Sequence, residues 1–371
     1  MNTDLVSILS TVKDPRTDRN KLYPLPEILL LCISAVLSGA DGWKSIAEFG
    51  HTKLDWLRKF LEFKNGIPSE DCIAWVIARL DSIEFQKCFT AWTKSTTELT
   101  DGEVVAMDGK TLRGSHDSSN DRSAIHVVSA WAAQNHLSLG QITTEEKSNE
   151  ITAIPKLLKM LDIKGTIVTI DAMGCQTDIA KQIVSLGADY ILAVKDNQPG
   201  LHEAIKDYVE TAKNADFHCV PVSYDEQTDA GHGRVEVRRC WLINDISTLP
   251  NPEKWSKIQS IALIESERHE GEKTTHQSRY YITTLACEAM KFSQAVRSHW
   301  GVENRLHWVL DVTFREDDCR IRRENAPANF NTFRQFAINL IKQAQTGLSV
   351  KGCRFKAAWN DSFRSKILAN L

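Results

Sequence analysis

The sequence predicts an α/β protein: a mixed sheet preceded by helices, interrupted by a β-rich insertion and followed by a C-terminal helical region. Three observations predict it. Apolar residues recur at helical spacing up to about residue 95, short β-branched runs replace them from about residue 102, and helical spacing returns from Ser293. The expected domains are a helical one over 1–95 and an α/β one over 100–371, with the insertion at about 215–285.

Taking the elements in order, Leu25, Ile28, Leu29, Ile33, Val36 and Leu37 place a helix behind Pro24 and Pro26, which start a helix but do not continue one. Gly39–Ala40–Asp41–Gly42 ends it. A second helix carries Trp43, Ile46, Ala47 and Phe49, and a third Leu54, Trp56, Leu57, Phe60 and Leu61. Pro68–Ser69–Glu70–Asp71 starts another, with a capping Ser and two acids where the helix dipole favours negative charge. Such short helices serve either as a helix-turn-helix-like DNA reader or as a helical cap, and no recognition helix rich in Arg, Asn and Gln stands out.

Glu103–Met107 is then a strand ending at Asp108, followed by a polar stretch from Gly109 to Arg122. Ala124–Trp131 and Leu137–Ile142 are further strands, with Asn135–His136 suited to a tight hairpin between them. A helix over Glu150–Leu161, a strand over Thr166–Ile170 ending at Asp171, a helix over Asp178–Leu186 and a strand over Tyr190–Val194 follow. Three strands, helix, strand, helix, strand is the order of an RNase H-like domain, a meander leading into βαβ units. Within the insertion, Arg234–Trp241 alternates as a strand with one charged face, and Arg279–Ile282 is again strand-like.

With 42% hydrophobic and 25% charged residues, the chain has the composition of an ordinary soluble globular protein. The run Glu27–Val36 is too short for a bilayer span, which needs about 20 apolar residues, and no basic signal-like start precedes it. A cytoplasmic protein with no membrane partner is expected. Nine scattered cysteines without a C-x-x-C argue against a disulfide framework and against a zinc cluster. The net charge of −3 hides an asymmetry: the stretch from Arg297 onward is basic and the remainder acidic. That distribution fits either a nucleic-acid-facing surface or a solvated basic tail.

Asp108 and Asp171 each follow an apolar strand, and the first and fourth strands of this order lie side by side. Paired carboxylates at neighbouring strand ends suit divalent cations that clamp a phosphodiester. Taken singly, either residue is as readily a turn or cap aspartate; their joint placement favours chemistry. A third carboxylate is best sought in Arg297–Trp308, where His299, Glu303 and His307 share one helical face beside Trp300 and Asn304. The alternative is an amphipathic helix with Trp300, Leu306 and Leu310 in the core. Glu316, Asp317 and Asp318 are reserve candidates.

Met107–Gly114, Thr169–Gln176, Val194–Gln198 and His299–Asn304 through Leu306–Val312 together resemble the H-repeat-associated transposases of bacterial insertion sequences, as does Asp14–Pro15–Arg16 near the start. The resemblance implies a metal-dependent DNA transposase with a triad of Asp108, Asp171 and Glu303 holding Mg²⁺ or Mn²⁺, and a β-strand insertion between the second Asp and the Glu. It also implies a homodimer that pairs two element ends. Lys110, Arg113, Lys195, Arg297, Arg305, Arg320, Arg322 and Arg323 are the expected phosphate contacts, with Trp300 beside them. The wider superfamily usually flanks its Glu with a Tyr, an Arg and a Lys. Here those positions are Val296, His299 and Leu310, which leaves His299 as the substitute contact. The rival readings are a nuclease of the same fold that cuts without joining, and a silent DNA-binding descendant. An α/β small-molecule enzyme lacks support, because neither G-x-G-x-x-G nor G-x-x-x-x-G-K-[ST] occurs.

Overall fold

A computed structural model describes residues 5–117, 123–144, 150–218, 220–231 and 233–368. The last residues of the polar stretch, 118–122, lie outside the described residues, as does Cys219. The eight described cysteines are all free.

The chain opens with α1 (Leu5–Leu9), α2 (Leu25–Leu37), α3 (Trp43–Leu57), α4 (Glu70–Arg79) and α5 (Ser82–Thr96). Ser69 caps α4 as expected, its hydroxyl accepting from the Cys72 amide. The two helices expected over Trp43–Leu61 are instead one, kinked at Lys53, with Phe60 and Leu61 beyond its end. Asp14–Pro15–Arg16 is structural: the Arg16 guanidinium bonds the Asp14 carboxylate and the Tyr23 carbonyl, both at 2.7 Å.

Five strands follow with their connecting helices: β1 (Val104–Thr111), β2 (His126–Ala132), β3 (Leu137–Thr144), α6 (Glu150–Leu158), β4 (Ile167–Ile170), α7 (Thr177–Ser185) and β5 (Asp189–Val194). This is the RNase H-like order that the sequence predicts, with β1 lying parallel to β4. The turn between β2 and β3 spans four residues, not two, and His136 takes a positive φ of 57° in it.

α8 (Pro199–Asn214) was not expected. The insertion then forms two long hairpins, β6 (Val222–Gly231), β7 (Arg234–Ile243), β8 (Ser260–Glu270) and β9 (Lys273–Thr283). They are no separate layer. β9 pairs antiparallel with β5, so all nine strands form one sheet in the order β3-β2-β1-β4-β5-β9-β8-β7-β6. α9 (Ala289–His299), two π-helical turns (Glu303–His307 and Val309–Thr313), α10 (Ala326–Gln343), α11 (Val350–Trp359) and α12 (Asp361–Leu368) complete the chain.

Period-two alternation decides which residues face which layer. Val105, Met107, Val168 and Ile170 bury against α6, α7 and α8. Val104 and Ile167 point the other way, into a core with Phe292, Ala295 and Val296 of α9. Ala106 and Trp131 join the large helical core, in which α1–α5 pack with α10, α11 and α12. The N-terminal helices therefore share one core with the C-terminal ones.

Candidate active site

Asp108 continues the Val104, Ala106 series and Asp171 the Ile167, Thr169 series, so both belong to the sheet face that carries α9. One detail corrects the sequence reading: Asp108 lies within β1, not after it. Its pairing with β2 runs on to Thr111, while the parallel pairing with β4 stops at Met107 and Ile170. β4 ends there because the Asp171 carboxylate accepts from the Met173 amide and starts a tight turn. Asp108 thus sits where the sheet opens between β1 and the end of β4.

Glu303 reaches this opening from beyond α9, in the first π-helical turn. His307 Nδ1 lies 3.6 Å from the Asp108 carboxylate and 3.8 Å from that of Glu303. One donor atom from each of Asp108, Glu303 and His307 falls within 4.8 Å of the others. Asp171 lines the same cleft, of about 410 Å³, together with Asp108, Glu303, Lys195, His299 and Trp300.

Burial raises the Asp108 pKa to about 6, helped by the nearby charges of Glu303 and Asp171 and opposed by His307. Burial likewise raises Asp171, with Glu150 adding to the effect. The nearby His307 imidazole is the main influence holding Glu303 below the usual carboxylate range. Crowded, partly desolvated carboxylates of this kind favour either a proton or a cation.

His299 departs from the expected stripe. Its Nδ1 lies 2.9 Å from the Thr169 hydroxyl, and burial pushes its pKa down to about 4. The ring is neutral near pH 7 and brings no positive charge for a phosphate. Val296 and Leu310 are both core residues.

Lys110 requires a second correction. Its ammonium lies 2.5 Å from Asp311, 2.7 Å from Glu316 and 4.0 Å from Asp317, so it is enclosed by carboxylates and not free for DNA. Glu316, a reserve ligand, is fully engaged with Lys110, Asn331 and Arg334 in the interior. Asp317 faces Lys110 and Arg113, and Asp318 pairs with Arg315, so neither joins the cleft.

The remaining basic residues separate into groups. Lys195 is exposed at the cleft, and Arg113 is 80% exposed with Asp317 at 3.8 Å. Arg297 pairs with Asp229, and Arg305 contacts His136 at 2.9 Å; both line a neighbouring cleft that shares Trp300 as a wall. Arg320, Arg322 and Arg323 surround another recess beside Trp43, with Arg322 donating to the Gly114 carbonyl. Arg279, from β9, stacks its guanidinium 4.9 Å from the Trp300 ring centre. Sequence reasoning did not single out Arg279, and it noted His307 only as part of the helical stripe. The Glu303–His307 spacing was the available signal for His307.

The chain matches known families along most of its length. Residues 6–93 match the domain described as "DDE_Tnp_1-associated", and residues 99–340 match the "Transposase DDE domain". The chain is 41% identical to "Putative transposase YncI" of Escherichia coli O157:H7, over 99% of this chain and 94% of that protein. It is 41% identical to "H repeat-associated putative transposase YhhI" of Escherichia coli (strain K12), over 98% of this chain and 97% of that protein. A stretch covering 20% of the chain is 44% identical to "Inactive transposase YbfQ" of the same strain, covering 89% of that protein.

Proposed function

We propose that this chain, which belongs to the DDE transposase family, cuts the ends of a DNA element and joins them to target DNA with a triad of Asp108, Asp171 and Glu303. The observation that carries the proposal is the convergence of these three carboxylates, from β1, the end of β4 and the turn beyond α9, on one cleft. The donor set fits divalent cations: hard carboxylate oxygens, partly desolvated and crowded enough to repel one another without a positive charge among them. Bound Mg²⁺ or Mn²⁺ would polarise the attacking and leaving oxygens of a phosphodiester.

The chain's own residues divide the remaining work. Asp108, which feels the charges of both Glu303 and Asp171, would hold the divalent ions together with those two carboxylates. Lys195, exposed on the cleft wall, and Arg113, 80% exposed, hold the DNA backbone through its phosphates. Trp300, 45% exposed and braced by Arg279, offers a flat surface to a base or sugar at the cleft mouth. Water attacks the phosphorus at the element end and breaks its P–O3′ bond; the freed 3′-hydroxyl then attacks a target phosphodiester and displaces that strand's 3′-hydroxyl. No covalent protein–DNA bond forms, so no Ser, Tyr or Cys nucleophile is assigned.

Two element ends are held together by a homodimer, acting in the cytoplasm. Among the described residues no helix is long and apolar enough to cross a membrane. The test is incubation of the full chain with Mn²⁺ and labelled DNA carrying the sequences that flank its gene. Cut ends that become joined to a second DNA support the transposase. Cutting without joining indicates a nuclease, and metal-independent binding without cutting indicates the silent descendant.

A further inference from the structure

We infer that His307 is a nitrogen ligand of the divalent cation held between Asp108 and Glu303, so this position is built from two carboxylates and an imidazole. The inference rests on the metal-dependent reading of the cleft and specifies its donor set beyond the three acids.

Three observations carry it. His307 is 4% exposed, yet its Nδ1 is turned towards both carboxylates at 3.6 and 3.8 Å. These separations exceed an ordinary N–H···O hydrogen bond, which closes to about 2.7–3.2 Å. A shared ion about 2.1 Å from each donor accommodates donor separations up to roughly 4.2 Å, which matches them. The longest donor separation in the group is within 4.8 Å, and Glu303, with a side chain 54% exposed, is free to make the small adjustment.

The usual account of an enclosed histidine also fails here. A core imidazole is normally anchored through hydrogen bonds at its nitrogens. The buried Nε2 of His307 makes none with any described group, so no hydrogen bond on that side accounts for Nδ1 facing the two carboxylates.

The local backbone points the same way. Past α9 the chain does not continue as a regular α-helix: Glu303–His307 is a π-helical turn and Val309–Thr313 a second. Such widened turns are uncommon and concentrate at functional sites. This one carries both Glu303 and His307 at its two ends and brings them to Asp108. His299, one α-helical repeat earlier, turns to Thr169.

The donor set has a chemical consequence. Mg²⁺ favours oxygen ligands, whereas imidazole suits softer first-row ions. His307 therefore biases the position towards Mn²⁺ over Mg²⁺, and a carboxamide in its place reduces that bias.

The test is pulsed electron paramagnetic resonance of Mn²⁺ added to the full chain, alongside a Mn²⁺ binding titration. The expected result is ¹⁴N coupling of a directly bound imidazole in the wild type. The coupling disappears in His307→Gln, with a rise in the Mn²⁺ dissociation constant on the order of tenfold. It persists in His299→Gln. A wild-type spectrum without nitrogen coupling overturns the inference even if a variant misfolds. Mn²⁺ whose binding Asp108→Asn weakens but which shows no nitrogen coupling overturns the inference and leaves the carboxylate reading standing. Coupling that survives His307→Gln does the same. Mn²⁺ binding that is absent, or indifferent to Asp108→Asn, overturns both.

Discussion

The Lys110 ammonium lies 2.7 Å from the Glu316 carboxylate, and the second oxygen of Glu316 accepts from Arg334 at 2.9 Å. Glu316 is 1% exposed at its side chain, and Lys110 10%. The pair fastens β1, just past Asp108, to the segment before α10. Its role is structural, and removing one partner leaves a buried charge uncompensated. Glu316→Gln is expected to lower the unfolding free energy by about 3 kcal/mol in urea denaturation. Mn²⁺ affinity of the folded fraction stays near the wild-type value. An affinity loss matching that of Glu303→Gln would return Glu316 to the ligand set.

Asp108 gives a pH dependence of defined sign. Its folded-state pKa of about 6 stands above the ordinary 3.8, so between these values the folded chain binds more protons than the unfolded one. This contribution is fully present below about pH 4 and is lost as pH rises through 6. In the metal-free protein, Asp108→Asn is therefore expected to be more stable than wild type by about 2 kcal/mol above pH 7, with the gap closing towards pH 4. Chemical denaturation of both proteins at several pH values measures it. Added Mn²⁺ reverses the preference, because a cation favours the ionised carboxylate, and its affinity rises with pH through the same window.

Lys195 and Arg113 are exposed, whereas Lys110 is enclosed. Lys195→Ala and Arg113→Ala are each expected to reduce the slope of log affinity against log salt by about one in DNA-binding titrations. Lys110→Met is expected to leave that slope unchanged in the folded fraction and to cost stability instead.

Gly114 is required by contact. A Cβ there would stand 1.9 Å from the Cys319 carbonyl oxygen, a backbone atom that cannot turn aside. Gly114→Ala is expected to destabilise the chain by about 2–3 kcal/mol, read as a lowered melting temperature. A neutral result would mean that the 316–322 segment moves easily.

The element order of β1–β5 and the side-by-side placement of β1 and β4 were legible because the apolar runs follow the order of an RNase H-like domain, in which the first and fourth strands are neighbours. α8 carries an equally local signal, with Leu201, Ile205 and Val209 at helical spacing behind Pro199. Other features were hidden for physical reasons. Pairing of β9 with β5 depends on long-range register, which no local pattern encodes. The fate of Lys110 depends on partners 201 and 206 residues away. His299, Glu303 and His307 look equivalent on an ideal α-helix, and only the π-helical turns separate His299 from the other two.

Asp108, Asp171 and Glu303 form the proposed triad, and Glu303 is the member whose placement depends most on tertiary structure. The most direct test is single-turnover, Mn²⁺-dependent cleavage of DNA ends by wild type, Asp108→Ala and Glu303→Gln, with each variant first shown to be folded. Defined cuts by the wild type and a loss of at least roughly 10³-fold in both variants are expected, the scale seen when a group stabilising charge in the transition state is removed. Cleavage by folded Glu303→Gln at near the wild-type rate would contradict the triad.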